Sequence, residues 1–225
     1  EAMYQYSVIL ANGFGVKINR IEAARYCKMA ADHGNIKAMH IYSIKLKTGD
    51  GVEANLSESM KYTKMAADLK DVESSYRYGV ALLKGNGVKM NKKEAFHYIK
   101  YSADKGYSDA MYKVYLMLEH GEGIPKNKEE SAKYLEEAIK KNQKDAVYEY
   151  AEKLYTGDGV SEDKTKAAKY YKIAADNGNM EAMHKYGVML YNGEGIACNK
   201  IESGRYLKAA AQNGHIESNY DFGMM

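Results

Sequence analysis

Tryptophan is absent from this chain, proline occurs once, at Pro125, and cysteine twice, at Cys27 and Cys198. With one proline, almost every segment can keep the backbone hydrogen bonds of a helix. The two cysteines form neither a CxxC pair nor a regular series, which excludes a disulfide framework and suits a reducing compartment. No apolar run approaches the ~20 residues that a membrane-spanning helix requires. An excess of one charge is missing too: 33 Lys plus Arg stand against 30 Asp plus Glu, interspersed, for a formal net charge of +3. That balance describes a solvated surface and not a nucleic-acid footprint.

What the chain does have is period. Gly-X-Gly followed by Val or Ile occurs at Gly13, Gly49, Gly85, Gly121, Gly157 and Gly193, always 36 residues apart. A fixed spacing in this range marks stacked supersecondary units rather than one globular core. The 225 residues are 45% hydrophobic, enough for a continuous core, and include 22 tyrosines. Overlaying the units gives an unbroken tyrosine column (Tyr26, Tyr62, Tyr98, Tyr134, Tyr170, Tyr206) and an unbroken leucine column (Leu10, Leu46, Leu82, Leu118, Leu154, Leu190). Small residues recur at Ala2, Ala38, Ser74, Ala110, Ala146, Ala182 and Ser218, and again at Ala30, Ala66, Ser102, Ala138, Ala174 and Ala210.

These columns have helical spacing, so each unit reads as two amphipathic helices, at about residues 2–12 and 20–33 of the first unit. The first glycine of each Gly-X-Gly caps the first helix. Asn19, Asn55, Asn91, Asn127, Asp163 and Asn199 are N-caps of the second, so the glycosylation sequon at Asn55 is read as a cap. Glu22, Glu58, Glu94, Glu130 and Glu202 complete a capping-box pattern. Lys166 breaks that pattern, which makes the fifth unit's second helix the loosest start. Gly34, Gly106, Gly178 and Gly214 close the second helix, with Asn142 next best and Lys70 the exception. Acidic residues open most first helices (Glu1, Glu73, Asp109, Asp145, Glu181, Glu217), where the helix dipole favours them without any ligand.

Together the Ala-Met-Tyr-x-Tyr starts, Gly-x-Gly-Val turns, Asn-x-x-Glu, Ala-x-x-Tyr and Ala-Ala-Asp-x-Gly ends resemble the Sel1-like repeat, a relative of the tetratricopeptide repeat. The resemblance covers essentially the whole chain. It departs in having Tyr where Trp is often found, and in the degenerate end Ala138-Ile139-Lys140-Lys141-Asn142. The family implies an all-α solenoid of antiparallel helix pairs in a right-handed superhelix, here about six repeats and a terminal half repeat, with the first helices lining a concave side. It also implies a non-enzymatic scaffold or adaptor for other proteins. The expected organisation is one solenoid over residues 1–225, part of a longer protein, in an intracellular, cytoplasmic setting; no signal peptide is visible in this stretch.

Motifs with a catalytic look dissolve into the columns. Gly-X-Gly follows a helix in every copy, whereas a dinucleotide fingerprint follows a strand. Ser102-Ala103-Asp104-Lys105, Ser161-Glu162-Asp163-Lys164 and Lys47-Thr48-Gly49 match the S-x-x-K and K-T-G patterns of penicillin-interacting enzymes. All three fall on columns filled by other residue types in sister units. The six histidines have no i, i+4 pair and suggest no metal site, and no cofactor is expected.

A binding surface has the better case. In the family geometry the groove presents Tyr4, His40, Tyr76, Tyr112, Tyr148, His184 and Tyr220, then Val80, Leu116 and Val188, then Leu83, Tyr155 and Tyr191. Beside this lane lie the variable Arg77, Lys113, Glu149 and Lys185. An aromatic and aliphatic lane suits an extended peptide or a helix of a protein partner, since rigid tyrosines give large contact area at small entropy cost. The bland alternative is that these rings pack on the next unit. Two further readings stand beside the groove: a structural spacer acting through its ends and outer face, with end-to-end self-association, and a lactam-binding enzyme. RNA binding is disfavoured by Glu119, Glu149 and Glu152 in the lane.

Overall fold

The computed structural model describes residues 1–224, and among them helices alternate with the period of the glycines. The first helices of the repeats are α1 (Ala2–Asn12), α3 (Ile36–Thr48), α5 (Val72–Lys84), α7 (Ser108–His120), α9 (Lys144–Thr156), α11 (Met180–Asn192) and α13 (Ile216–Gly223). The second helices are α2 (Arg20–Asp32), α4 (Leu56–Asp68), α6 (Lys92–Asp104), α8 (Lys128–Lys140), α10 (Lys164–Asp176) and α12 (Lys200–Gln212). No strand occurs among the described residues. The expected bounds hold to within a residue.

Contacts divide the chain into two compact units, Glu1–Ser131 and Ala132–Met225, each built the same way. In the first, Cys27, Ala30, Ala38, Met39, Tyr42, Leu46, Tyr62 and Ala66 form one buried cluster. In the second, Val147, Ala151, Leu154, Ala167, Tyr171, Ala174, Ala182 and Leu190 do the same. The small-residue columns are sealed past the first helix, where Ala2 is exposed: Ala38, Ala66, Ser102, Ala110, Ala146, Ala174, Ala182 and Ser218 are each fully buried. Small side chains there let neighbouring helices approach while tyrosine and leucine fill the space between them.

The glycine pair does two jobs. Gly49 takes the left-handed conformation (φ +77°) and its N–H closes α3 on Lys45 O at 2.8 Å. Gly51 serves the contact between repeats: a Cβ there would sit 2.0 Å from the backbone oxygen of Arg20. Close backbone approach therefore requires glycine at Gly51, and likewise at Gly87, Gly123 and Gly195.

The caps are more complete than the sequence suggests. Each N-cap side chain of α2, α4, α6, α10 and α12 accepts from the N–H three residues on, at 2.9–3.1 Å. This includes Asp163, so the expectation of a loose α10 start is corrected. Its cap bond to Lys166 N is 2.9 Å long, and the Lys166 ammonium lies 3.4 Å from the same carboxylate, replacing the missing glutamate by charge attraction. Lys70 is no exception either: it adopts φ +68° and its N–H bonds Ala67 O at 2.9 Å, the geometry that Gly34 uses in the first repeat.

Five of the first helices, α3, α5, α9, α11 and α13, have side-chain caps as well, which the sequence pattern did not point to. Asn35, Asp71, Gln143 and Asn179 accept from the N–H three residues on, and His215 Nδ1 accepts from Ser218 N at 3.1 Å. These caps recruit the acidic column. Asn35 Nδ2 donates to Glu1, Asn179 Nδ2 to Asp145, and the His215 ring meets Glu181, at 2.9, 3.1 and 3.0 Å. The carboxylates thus do more than complement a dipole; they tie one repeat's first helix to the cap of the next.

Candidate functional site

In the first unit the lane residues are half-buried on the exposed face of the first helices. Tyr76 packs its ring 5.1 Å from that of Tyr107, and Tyr112 stacks on Tyr115 at 5.7 Å. Arg77 Nη1 lies 3.2 Å from His40 Nε2, and Glu73 stands 3.8 Å from Arg77 and 3.9 Å from His40. Because a guanidinium cannot accept, His40 is the acceptor in this contact. Lys113, Val80 and Leu116 are half-buried, while Leu83 is buried and adds to packing rather than to an open face. A concavity of about 280 Å3 opens beside Tyr4, His40, Ile41, Lys37 and Glu73. A second one, of about 610 Å3, lies between the second helices α4 and α6, lined by Met60, Lys61, Lys64, Tyr78 and Met90. Its lining includes Leu82, Gly87, Asn91 and Glu94, residues that the repeat pattern marks for packing, turns and caps, so no separate motif pointed to it.

In the second unit Tyr148, Tyr155 and Glu149 gather around α9. Tyr148 and Tyr155 lie 5.9 and 6.2 Å, ring to ring, from the fully buried Tyr171. Tyr171 donates to Glu152 at 2.6 Å, and Tyr155 to Glu194 at 3.0 Å. Burial and the Glu152 carboxylate push the Tyr148 phenol well above its ordinary range. Lys185 lies 3.6 Å from Glu152. Val188 and the exposed Tyr191 line a concavity of about 260 Å3 with Leu207 and Asp221. His184 is mostly covered: its ring stacks on His215 at 4.5 Å, and its Nε2 lies 2.8 Å from Asp221.

Of the nucleophile patterns, Ser102 and Lys164 are engaged in structural contacts. Ser102 is fully buried and its hydroxyl donates to Val72 O at 2.8 Å. Ser161 sits in an exposed turn, and Lys164 of the same motif is held by Glu194. Cys27 is fully buried and burial raises its thiol to about 11, which keeps it protonated and inert. Cys198 is exposed, and its thiol lies 3.2 Å from Tyr191 O.

Helix pairs repeated at a fixed period define a helical-repeat solenoid. The Sel1 repeat model matches residues 1–35, 36–71, 72–107, 108–143, 144–179 and 181–215, and the chain belongs to the Sel1 repeat family. A protective antigen of uropathogenic Escherichia coli with an SLR fold superposes with a TM-score of 0.88 at 19% identity, over 99% of this chain and 48% of that one. This chain thus spans about half the length of the E. coli protein. A Sel1 repeat protein of Oxalobacter formigenes superposes at 0.74, with 22% identity over 99% and 75% of the two chains. An immunity protein of Pseudomonas aeruginosa reaches 0.56 at 21% identity, over 94% and 80%. At these identities the likeness is one of fold. No curated protein matches the sequence. No helix among the described residues is long and apolar enough to cross a membrane.

Proposed function

We propose that this chain is a non-enzymatic scaffold that takes a peptide or a helix of a partner protein on the face made by its first helices. Sel1 repeat proteins are generally protein-interaction scaffolds. The observation that carries the choice of face is the half-buried state of its aromatic residues: Tyr76 and Tyr112 in the first unit, and Tyr148 in the second, each keep part of their surface exposed while the ring packs against another tyrosine. Rings already packed in this way lose little entropy when a partner covers their exposed part. The variable neighbours Arg77, Lys113 and Glu149 supply charges that would select among partners by matching or repelling them.

The test is capture of partners from the source cell by the wild type and by separate Tyr112→Ala, Lys113→Glu and Glu149→Lys variants. Loss of the same partner from Tyr112→Ala and from one charge reversal, with unchanged helicity, supports this face. Undiminished capture by all three removes it.

A spacer that self-associates is the second reading. It is favoured by the exposed apolar side chains of α13, Ile216 (83% exposed) and Tyr220 (70%). Concentration-dependent sedimentation that Ile216→Lys abolishes would support it over the lane.

A further inference from the structure

His184 on α11 and His215 at the cap of α13 stack at 4.5 Å between ring centroids, with 29° between their planes. Three carboxylates come to them. Asp221 reaches His184 Nε2 at 2.8 Å, Glu181 reaches His215 Nε2 at 3.0 Å, and the exposed Glu217 stands beside both rings. One ligand atom each of His184, His215 and Glu217 lie within 4.8 Å of one another.

The repeat itself needs neither histidine. At the position of His215 the other repeats carry Asn35, Asp71, Tyr107, Gln143 and Asn179. At that of His184 they carry Tyr4, His40, Tyr76, Tyr112, Tyr148 and Tyr220. The cap-to-carboxylate bond exists without histidine in Asn35–Glu1 and Asn179–Asp145. Two imidazoles in adjacent columns, inside a ring of three carboxylates, are particular to this junction.

We propose that this cluster is a binding site for a divalent transition metal of the zinc kind, with His184, His215 and Glu217 as ligands. Imidazole nitrogens with a carboxylate select such ions over magnesium or calcium, which prefer all-oxygen shells. Tetrahedral ligands at a Zn–N length of about 2.0–2.1 Å stand roughly 3.4 Å apart. Movements of about 1 Å, easiest for the exposed Glu217, would draw the three together. Asp221 at His184 Nε2 leaves Nδ1 as that ring's ligand and supplies the outer carboxylate that orients a metal-bound histidine. His215 has Nδ1 in the α13 cap and Nε2 at Glu181, so the ion exchanges one of those two contacts for a metal bond. The dication offsets the charge of the gathered carboxylates and staples α13 to α11.

Calorimetric titration of the 225-residue chain with zinc chloride in a non-coordinating buffer tests this. The expected result is one saturable site of micromolar or tighter affinity, removed by a chelator and accompanied by a higher melting temperature. His215→Asn and His184→Tyr install residues that the array uses at those positions, so the fold is kept while a ligand is lost. Each should weaken binding at least tenfold, and Glu217→Gln should also weaken it. Absence of saturable uptake by the wild type would overturn the proposal. So would equal affinity in His184→Tyr and His215→Asn proteins that melt as the wild type does.

Discussion

The hydroxyl of Tyr62 donates to Asp32 Oδ1 at 2.7 Å, joining the second helices of two successive repeats. The same bond recurs from Tyr98 to Asp68 at 2.6 Å and from Tyr206 to Asp176 at 2.8 Å. Each aspartate also takes the ammonium one turn before it, from Lys28, Lys64 or Lys172, at 2.7–3.0 Å. The ring of Tyr62 meets that of Tyr42 edge-on at 4.8 Å. Tyr62→Phe keeps the ring contact and deletes only the hydroxyl. The carboxylate is 44% exposed and can be rehydrated, so the expected cost is about 1 kcal/mol, or roughly 2–4 °C in thermal unfolding. No change in the melt would mean that the tyrosine column acts through its rings alone.

These ties make stability depend on pH at both extremes. Burial pushes the carboxyls of Asp32 and Asp68 up, but the bonds from lysine and tyrosine outweigh it and leave them below the ordinary value. A depressed carboxyl contributes stability that is present above its unfolded pKa, near 4, and lost as pH falls through the folded value. For Tyr62 and Tyr98, burial first and the aspartate second raise the phenol to about 12. That contribution is complete below pH ~10 and lost as pH rises from 10 to 12. Melting followed by circular dichroism should fall off below pH 4 and above pH 10, and Tyr62→Phe should blunt both limbs.

Periodicity made the helices and their order legible, because each column repeats one structural demand six times. Leu46 and Ala38 could be assigned to the core from spacing alone, and both are buried. Partnerships between columns could not be read. Asp32 sits in an exposed helix end in the sequence, and only the stacking distance brings it to Tyr62, 30 residues on. For the tyrosines of the expected lane, how far each ring is covered depends on neighbours such as Tyr107 and Tyr171 that lie in other columns. His184 and His215 escaped for the same reason: the ligand spacings sought in a sequence are local, whereas these two meet across a repeat junction.

Lys70 occupies the left-handed position that glycine holds in four sister repeats, at φ +68°. A side chain there costs roughly 1–2 kcal/mol because its Cβ crowds the following carbonyl. Lys70→Gly should therefore stabilise the protein by about 1 kcal/mol, read as a higher denaturation midpoint at constant slope. Some of the gain is offset by the greater freedom of glycine in the unfolded chain and by loss of the Lys70 ammonium, 5.1 Å over the Tyr101 ring. Asn142, at φ +53°, should gain less from the same change, since asparagine tolerates this conformation better than lysine. A loss of stability in Lys70→Gly would show that the cation over Tyr101 outweighs the backbone strain.

Lys45 is a buried cation at a position where four sister repeats carry Ile9, Ala81, Met117 and Met189 and the fifth repeat carries Lys153, itself 3.7 Å from Asp158. Its ammonium bonds Asp50 Oδ2 at 2.6 Å, and that bond is the main cause of the lowered Asp50 carboxyl. Asp50 also receives Arg20 at 3.3 Å, across the repeat junction. Desolvating a charge in this way largely cancels what the pair gains, so an apolar side chain of similar volume loses little. Lys45→Met should be neutral or stabilising by about 1 kcal/mol in chemical denaturation. Asp50→Asn removes the partner while leaving the ammonium buried, and should cost several times more, about 2–3 kcal/mol after allowing for the partial exposure of Asp50. The double variant should return close to Lys45→Met, because with the cation gone little is left for Asp50 to neutralise. Equal losses in both single variants would instead mark the pair as a net source of stability at this junction.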